Sequence, residues 1–413
     1  MTQAPPRYDV VIAGAGAVGL ALACALADAL GPDCRIALVD RSEFGREPAG
    51  RDIRAWAISA GSKRLLEVLG VWPHLAEHAQ PVTAVDITDS SLDDAIRPIL
   101  VSYDNRVEAD EAATYILESE RLNEALLAAA RRRSTVALLG GSPITGFERG
   151  EHACSIDLDS GAALRTPLLV AADGRASRLR EMAGIKIVGW SYPQIGIVTT
   201  VRHDKPHGGR AVQHFLPAGP FAILPLTGNR SCITWTEEAA RGRAIVALDD
   251  AGFLAEVEKR FDYRLGRIEL AGPRASWPLD MHLARALVVH RFALAGDAAH
   301  GVHPIAGQGL NLGLRDVAAL TEVVVDAARL GLDIGSLATL ERYERWRRLD
   351  STLSAATFDA LNRLFSSDVT VARTARDFGL GLVERMPVLK QLFVAEAAGL
   401  TGDIPKLLRG QQP

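Results

Sequence analysis

Three glycines and two aspartates stand where a phosphorylated cofactor could be held. Gly14-x-Gly16-x-x-Gly19 directly follows the apolar run Val10-Val11-Ile12-Ala13, and Asp40 comes 21 residues after Gly19. In this pattern Gly14 permits a tight turn, Gly16 lets backbone approach a pyrophosphate, and Gly19 lets a helix pack closely on the preceding strand. A helix beginning here offers unpaired N–H groups and a positive dipole end to phosphates, and the Asp40 carboxylate can accept hydrogen bonds from a ribose diol. Together these predict a dinucleotide site, without choosing between FAD and NAD. Asp173-Gly174 follows a second apolar run, Leu168-Leu169-Val170-Ala171-Ala172, with Ser177, Arg178 and Arg180 beyond; by itself it reads as a strand-to-helix turn with an N-capping Asp. A third apolar run delivers Ala295-Gly296-Asp297-Ala298-Ala299-His300 to a loop, His303-Pro304-Ile305-Ala306-Gly307-Gln308, which opens a helix at Gly309-Leu310-Asn311. Asp297 could hold a ribityl hydroxyl. The amides of Gly309, Leu310 and Asn311 would favour negative charge on whatever docks there.

These motifs need elements to carry them. Residues 10–13 and 35–39 read as buried parallel strands, with an Ala/Leu-rich helix over 18–30 that Gly31-Pro32 ends. Helical patterns follow at 59–78, 118–133, 249–261 and about 309–330. Short strands are predicted through 136–173, at 195–201, 211–215, 221–224 and 231–236, and as a single strand at 286–295. The tail after Ser336 is helical in pattern. α/β segments thus surround two β-rich insertions, at roughly 79–108 and 188–280. No internal repeat or low-complexity segment occurs.

Composition bounds the rest. The chain has 413 residues, 48% of them hydrophobic and 23% charged, with a formal net charge of -4. That is an ordinary globular balance. No basic excess exists to mark a nucleic-acid partner. Six of the 46 basic residues are Lys and the rest Arg, a skew that compositional bias explains. Cys24, Cys34, Cys154 and Cys232 form no CxxC pair and are too sparse for a disulfide scaffold. No signal peptide and no uninterrupted apolar span of 18 residues is seen, so a cytoplasmic protein is expected. No GxSxG, P-loop or HExxH appears.

An N-terminal GxGxxG, a central DG and a late GD together resemble the group A flavoprotein aromatic hydroxylases. The run His303-Pro304-Ile305-Ala306-Gly307-Gln308-Gly309-x-Asn311-x-Gly313-x-x-Asp316 looks like the signature of their ubiquinone-biosynthesis branch. Arg54-Ala55-Trp56-Ala57-Ile58-Ser59 and Phe215-Leu216-Pro217-Ala218-Gly219-Pro220-Phe221-Ala222-Ile223-Leu224-Pro225-Leu226 are similar to further family segments, and the resemblance spans about residues 8 to 348. It implies an α/β chain: a Rossmann-like FAD-binding domain of the glutathione-reductase/aromatic-hydroxylase type (residues 1–78, 109–187 and 281–345), an inserted β-sheet substrate domain (79–108 and 188–280) and a helical C-terminal segment (346–413). Gly14, Gly16, Gly19 and Asp40 would hold the ADP half of FAD. Arg54 would reach the FAD, as would Arg121 or Asn123. Asp173 would serve both FAD and the pyridine nucleotide. Gly296 and Asp297 would bind the ribityl chain, and the stretch from Pro304 through Gly307, Gly309 and Leu310 to Asn311 would wrap the isoalloxazine edge. Gln213, Phe215, Pro220 and Phe221 would form the substrate side.

The implied activity is hydroxylation of a prenylated phenol of ubiquinone biosynthesis through a flavin C4a-hydroperoxide, with O2 as co-substrate and NAD(P)H as electron donor. The cofactor performs the oxygen chemistry, in a pocket kept dry. His303 could deprotonate a phenol, or backbone at Pro304 could contact the flavin instead. His300 and His303 with Asp297 could be imagined around a metal. Gly and Pro surround them and flavin chemistry needs none, so loop or flavin contacts are expected and no metal. Trp190, Trp235 and Trp277 default to core packing, with one of them a candidate pocket wall. Residues 370–400 mix Leu, Val and Phe with Arg. They are expected to pack on the chain's own FAD domain, with contact to a membrane surface, another subunit or a ubiquinone-biosynthesis complex as the alternative. Rival readings are a flavin hydroxylase of a soluble aromatic and a non-catalytic flavin-binding component of a quinone-synthesis complex.

Overall fold

Four-residue runs that are apolar at every position can be buried only if both faces of their sheet are covered. The computed structural model, which describes residues 5–44, 52–89, 98–261, 263–302, 307–365 and 387–413, places them so. Strand β1 (Val10–Ala13) lies between β2 (Ile36–Val39) and β12 (Leu168–Ala171), all parallel, with β8 (Val136–Leu139) beyond β2. β20 (Phe292–Leu294) extends the sheet in parallel beside β12, and β19 (Val288–Val289) closes that edge antiparallel. Helix α1 (Ala17–Leu30) is buried continuously from Gly19 to Ala27, because α3 (Ser119–Arg131) and α7 (Gly309–Arg329) pack against it as well as the sheet. The α1–α7 crossing is close: a Cβ on Gly313 would lie 2.6 Å from Val18. A three-stranded meander, β9 (Ile144–Arg149), β10 (Cys154–Leu158) and β11 (Ala163–Thr166), carries the chain from β8 back to β12.

The second large sheet has nine strands and draws on two separated stretches. Its order is β21 (His300–Gly301), β18 (Ala275–Ala284), β13 (Ile187–His203), β16 (Arg230–Glu238), β15 (Gly219–Leu226), β14 (Arg210–Leu216), β5 (Ala84–Asp89) and β6 (Val101–Asp104), with β17 (Ile268–Leu270) also paired to β13. Both faces are apolar. One packs Ile195, Ile197, Phe221, Ile233 and Trp235 against α5 (Ala239–Val246) and α6 (Asp250–Phe261). The other packs Val198, Ala211, Leu226 and Cys232 against Ala57 and Ile116. Those two belong to a small sheet of β3 (Ala55–Ser59), β7 (Thr114–Glu118) and β4 (Gln80–Pro81), so this second face is the junction between the two large sheets.

Three expectations are corrected. The helix expected over 59–78 is α2 (Ala60–Val68), stopped at Gly70 (φ 66°) and followed by a single 3-10 turn, Trp72–His74. The strand expected at 286–295 is a hairpin, β19 and β20, turning at Arg291 with φ 64°. Its buried guanidinium donates to Glu151 and Pro167 carbonyls and to Asp333, which outweighs the local backbone cost. Helix α5 was not expected at all. After α4 (Arg178–Met182), α8 (Leu337–Phe365) and α9 (Pro387–Ala397), the chain ends on its own core, with Leu407 and Leu408 buried and Arg315 donating to the Gly399 and Thr401 carbonyls. Residues 370–386 lie outside the described residues. Among the described residues no helix is long and apolar enough to cross a membrane.

Candidate functional site

Gly14, Asp40, Asp173 and Asp297 follow the carboxyl ends of β1, β2, β12 and β20, the edge of an open parallel sheet where ligands bind. The glycines there are distinct in surroundings. Gly14 has φ 102°, and a Cβ on it would sit 2.3 Å from the Ala172 carbonyl oxygen. A Cβ on Gly19 would sit 1.9 Å from the Gly14 oxygen. A Cβ on Gly16 would meet nothing within 4 Å. So Gly14 and Gly19 are required by the fold, whereas Gly16 borders open space at the start of α1, whose N-cap has no side-chain partner. The Asp40 carboxylate accepts from Ala15 N–H (2.7 Å) and Ser42 N–H (2.7 Å). It braces the glycine loop and keeps lone pairs for a further donor.

Arg54 enters from the chain before β3. It is held in a fork by Asp52 (Nε–Oδ1 and Nη2–Oδ2 both 2.8 Å) and lies over Trp56 at 4.6 Å and Trp277 at 6.0 Å from their centroids. Burial works against its charge, but Asp52 and, further off, Asp297 outweigh it and hold the guanidinium above its ordinary pKa. Ser119, at the start of α3, donates to Asp52 at 2.7 Å. Arg121 is half exposed and 3.8 Å from Glu124, while the neighbouring Asn123 Oδ1 is buried with no partner among the described residues. Asp173 is open to solvent and accepts a long bond from Leu179 N–H at 3.5 Å. Arg175, which the sequence reading passed over, pairs with Asp280 and donates to the Val302 carbonyl at 3.3 Å, tying the Asp173 turn to the second sheet.

Asp297 is exposed between buried neighbours in a 3-10 turn opened by Gly296 (φ 63°). Behind it lies a buried charged hub, also not anticipated. Asp316 accepts from Gly296 N–H (2.9 Å), His300 Nε2 (2.6 Å) and Arg347 Nε (2.7 Å). Burial raises the Asp316 pKa, but His300 and Arg347 hold it below the ordinary carboxylate value; burial likewise opposes a charged His300, and Asp316 raises its pKa above the ordinary value. His300 therefore serves the loop through Asp316. Among the described residues no group of three metal-ligating side chains occurs.

The N-terminus of α7 completes this edge. Gln308 caps it without a side-chain bond, so the first-turn amides from Gly309 to Asn311 have no partner within the helix. Gly307 (φ 61°) abuts Ala57, and Leu310 is buried. The Asn311 side chain is fully engaged: it accepts from Ser59 N–H (3.0 Å) and Ser62 Oγ (2.9 Å) and donates to the Ala57 carbonyl (2.8 Å) and Gln308 (3.0 Å). Its side chain fixes α7 to β3 and α2, leaving only its backbone amide to face a ligand. His303 and Pro304 lie outside the described residues.

Register decides which residues of the second sheet face this edge. Ala211 packs on the junction, so Gln213 and Phe215 share its face, as does Pro220 opposite Phe215. Phe221 is on the other face, 0% exposed, with its ring against Trp235. It packs under α6 and cannot line the junction, so its expected substrate role is corrected. Trp235 packs there too, beneath Arg260, and Trp190 is on the surface. Of the three, only Trp277 reaches the junction, where it flanks Arg54.

The family described as "FAD binding domain" matches residues 7–349. The chain is 43% identical over 410 residues to ubiquinone hydroxylase UbiL of Rhodospirillum rubrum, covering 97% of this chain and 92% of that protein. It is 32% identical to 3-demethoxyubiquinol 3-hydroxylase of Escherichia coli, covering 97% of this chain and 100% of that one. The solved structure of p-nitrophenol 4-monooxygenase PnpA from Pseudomonas putida superposes with a TM-score of 0.78 over 96% of this chain and 99% of that chain, at 18% identity, a likeness of fold.

Proposed function

The chain belongs to the family of FAD-dependent hydroxylases of ubiquinone biosynthesis, and from that membership we propose that it hydroxylates the aromatic ring of a (poly)prenylated phenol, with O2 as oxygen source and NAD(P)H as electron donor. The observation that carries the reading is the apposition of two surfaces. The open edge of the parallel sheet, with Gly16, Asp297 and the uncapped start of α7, faces the apolar junction side of the nine-stranded sheet. In this reading the six-stranded sheet side is the FAD domain and the nine-stranded sheet the substrate domain.

The residues present fit FAD. Gly16 leaves room that any side chain would fill. The start of α1 would take the pyrophosphate and Asp40 the ribose. Asp297, exposed at the sheet edge, would take the ribityl chain. The amides opening α7 would favour negative charge on the flavin ring. When bound and reduced, FAD supplies the activation of O2 and its delivery to the ring. The protein's own work is to orient and to exclude water. Arg54, fixed by Asp52 and lying over Trp56 and Trp277, keeps a positive charge at the rim. Phe215, Pro220 and Ala222 offer the ring an apolar wall. A lipophilic substrate has to be drawn from a bilayer, so we place the enzyme peripherally on the inner membrane face; the intact protein should float with phospholipid vesicles, and protein left entirely at the bottom of the gradient contradicts that placement.

Quinone profiling of a strain lacking this protein tests the reaction. A prenylated phenol short of one ring hydroxyl should accumulate while ubiquinone falls, whereas an unchanged ubiquinone profile contradicts the assignment.

A further inference from the structure

β14 alternates between the two faces of its sheet. Val212 and Leu216 pack under α5 and α6, while Ala211 packs on the junction with Ala57 and Ile116. Gln213 therefore points to the junction. Across the ladder its row-mates are Ile87 on β5, Ala222 on β15 and Thr234 on β16, and the next row holds Phe215 and Pro220. In this largely apolar setting the Gln213 Nε2 is shut off from solvent and has no hydrogen-bond partner among the described residues. The same sheet shows the ordinary solution in Gln194, whose buried amide donates to the Ala218 carbonyl at 2.8 Å. Buried amide donors are almost always satisfied. An unpaired one retained beside a ligand cleft marks a place where the acceptor comes from outside the chain.

We propose that the Gln213 carboxamide donates a hydrogen bond to an oxygen on the substrate's aromatic ring, and so fixes which ring carbon is presented for hydroxylation. This rests on the reaction proposed above. The donor selects an acceptor: a phenol, phenolate or quinone-type carbonyl oxygen satisfies it, and a hydrogen or methyl at that ring position does not. Phe215, Pro220 and Ala222 hold the ring flat by apolar contact but do not fix its rotation. The amide supplies that directional contact. Sites built around a buried polar group discriminate in this way, because the wrong ligand leaves the group unpaired.

The test uses the full-length, FAD-loaded protein. 2-Prenylphenol and its analogue with methyl in place of the hydroxyl are titrated, and binding is read from the perturbation of flavin absorbance. Wild type should bind the phenol about tenfold more tightly than the analogue, the size expected of one hydrogen bond. Gln213→Met and Gln213→Leu, two substitutions so that a packing defect in one does not stand in for loss of the amide, should retain FAD and bind the two compounds alike. Undiminished preference in either FAD-retaining variant overturns the contact. So does loss of FAD affinity with the preference intact, which would make the flavin the acceptor. If wild type hydroxylates prenylated phenols yet shows no preference, Gln213 lacks this role and the proposed reaction stands. Wild type that neither binds nor hydroxylates any prenylated phenol removes both.

Discussion

Three glycines within six residues do three different jobs at the end of β1. Gly14 and Gly19 are closed in by backbone, and Gly16 is not. Gly16 also has φ -71° and ψ 178°, which any residue adopts. Gly16→Val should therefore leave the melting temperature of the FAD-free protein nearly unchanged, a shift worth less than about 0.5 kcal/mol, while FAD binding by fluorescence titration is lost. Gly19→Ala should instead lower stability with or without FAD. Equal melting losses in both variants would contradict the distinction. A second residue-scale consequence concerns pH. Asp316, held below its ordinary value, contributes stability present above the unfolded carboxylate pKa and lost as pH falls through its folded value. His300, raised above 6.5, contributes stability complete below 6.5 and lost as pH rises through its folded value. Wild-type melting temperature should thus decline on raising the pH from about 6.5, and His300→Gln should flatten that slope; identical slopes would contradict the His300–Asp316 coupling. The tight turn at Gly14 and the close packing at Gly19 were legible because spacing encodes them. The hub was not, since Arg347 is 31 residues from its partner and nothing in the local pattern joins them.

At the scale of elements, the start of α7 is useful only if it stays put. Asn311 does this with four hydrogen bonds to β3, α2 and its own cap. Asn311→Ala strands the Ser59 N–H and the Ala57 carbonyl in a buried setting, a cost of about 2–4 kcal/mol. Calorimetry should show that loss, together with weaker FAD binding, although the residue's backbone amide is kept; an unchanged melting profile would contradict the anchoring role. Strands and helices with one clear period were readable from sequence. The 286–295 hairpin was not, because an Arg at positive φ carries no turn signature and is held there by distant carbonyls. Phe221 was assigned to the wrong face because both faces of the nine-stranded sheet are buried, so apolar alternation no longer says which side is inward.

For the whole molecule, the arrangement of interest is one sheet edge that can hold a dinucleotide set against a second sheet that can hold a ring. The sequence disclosed both sheets, through composition that changes from α/β to β-rich and back. It did not disclose the junction, which depends on β3, β7 and β4 pairing across separated stretches. Nor did it disclose where the final residues go, because Leu407 and Leu408 form too short an apolar pair to indicate a docking face. The account's central claim is that this junction delivers oxygen from O2 to a prenylated ring. The direct measurement is turnover of the FAD-loaded protein with NAD(P)H, a prenylated phenol and 18O2, analysed by mass spectrometry. One 18O atom in the ring hydroxyl of the product is the result the account predicts. NAD(P)H consumed with only hydrogen peroxide formed, or product oxygen drawn from water, would contradict it.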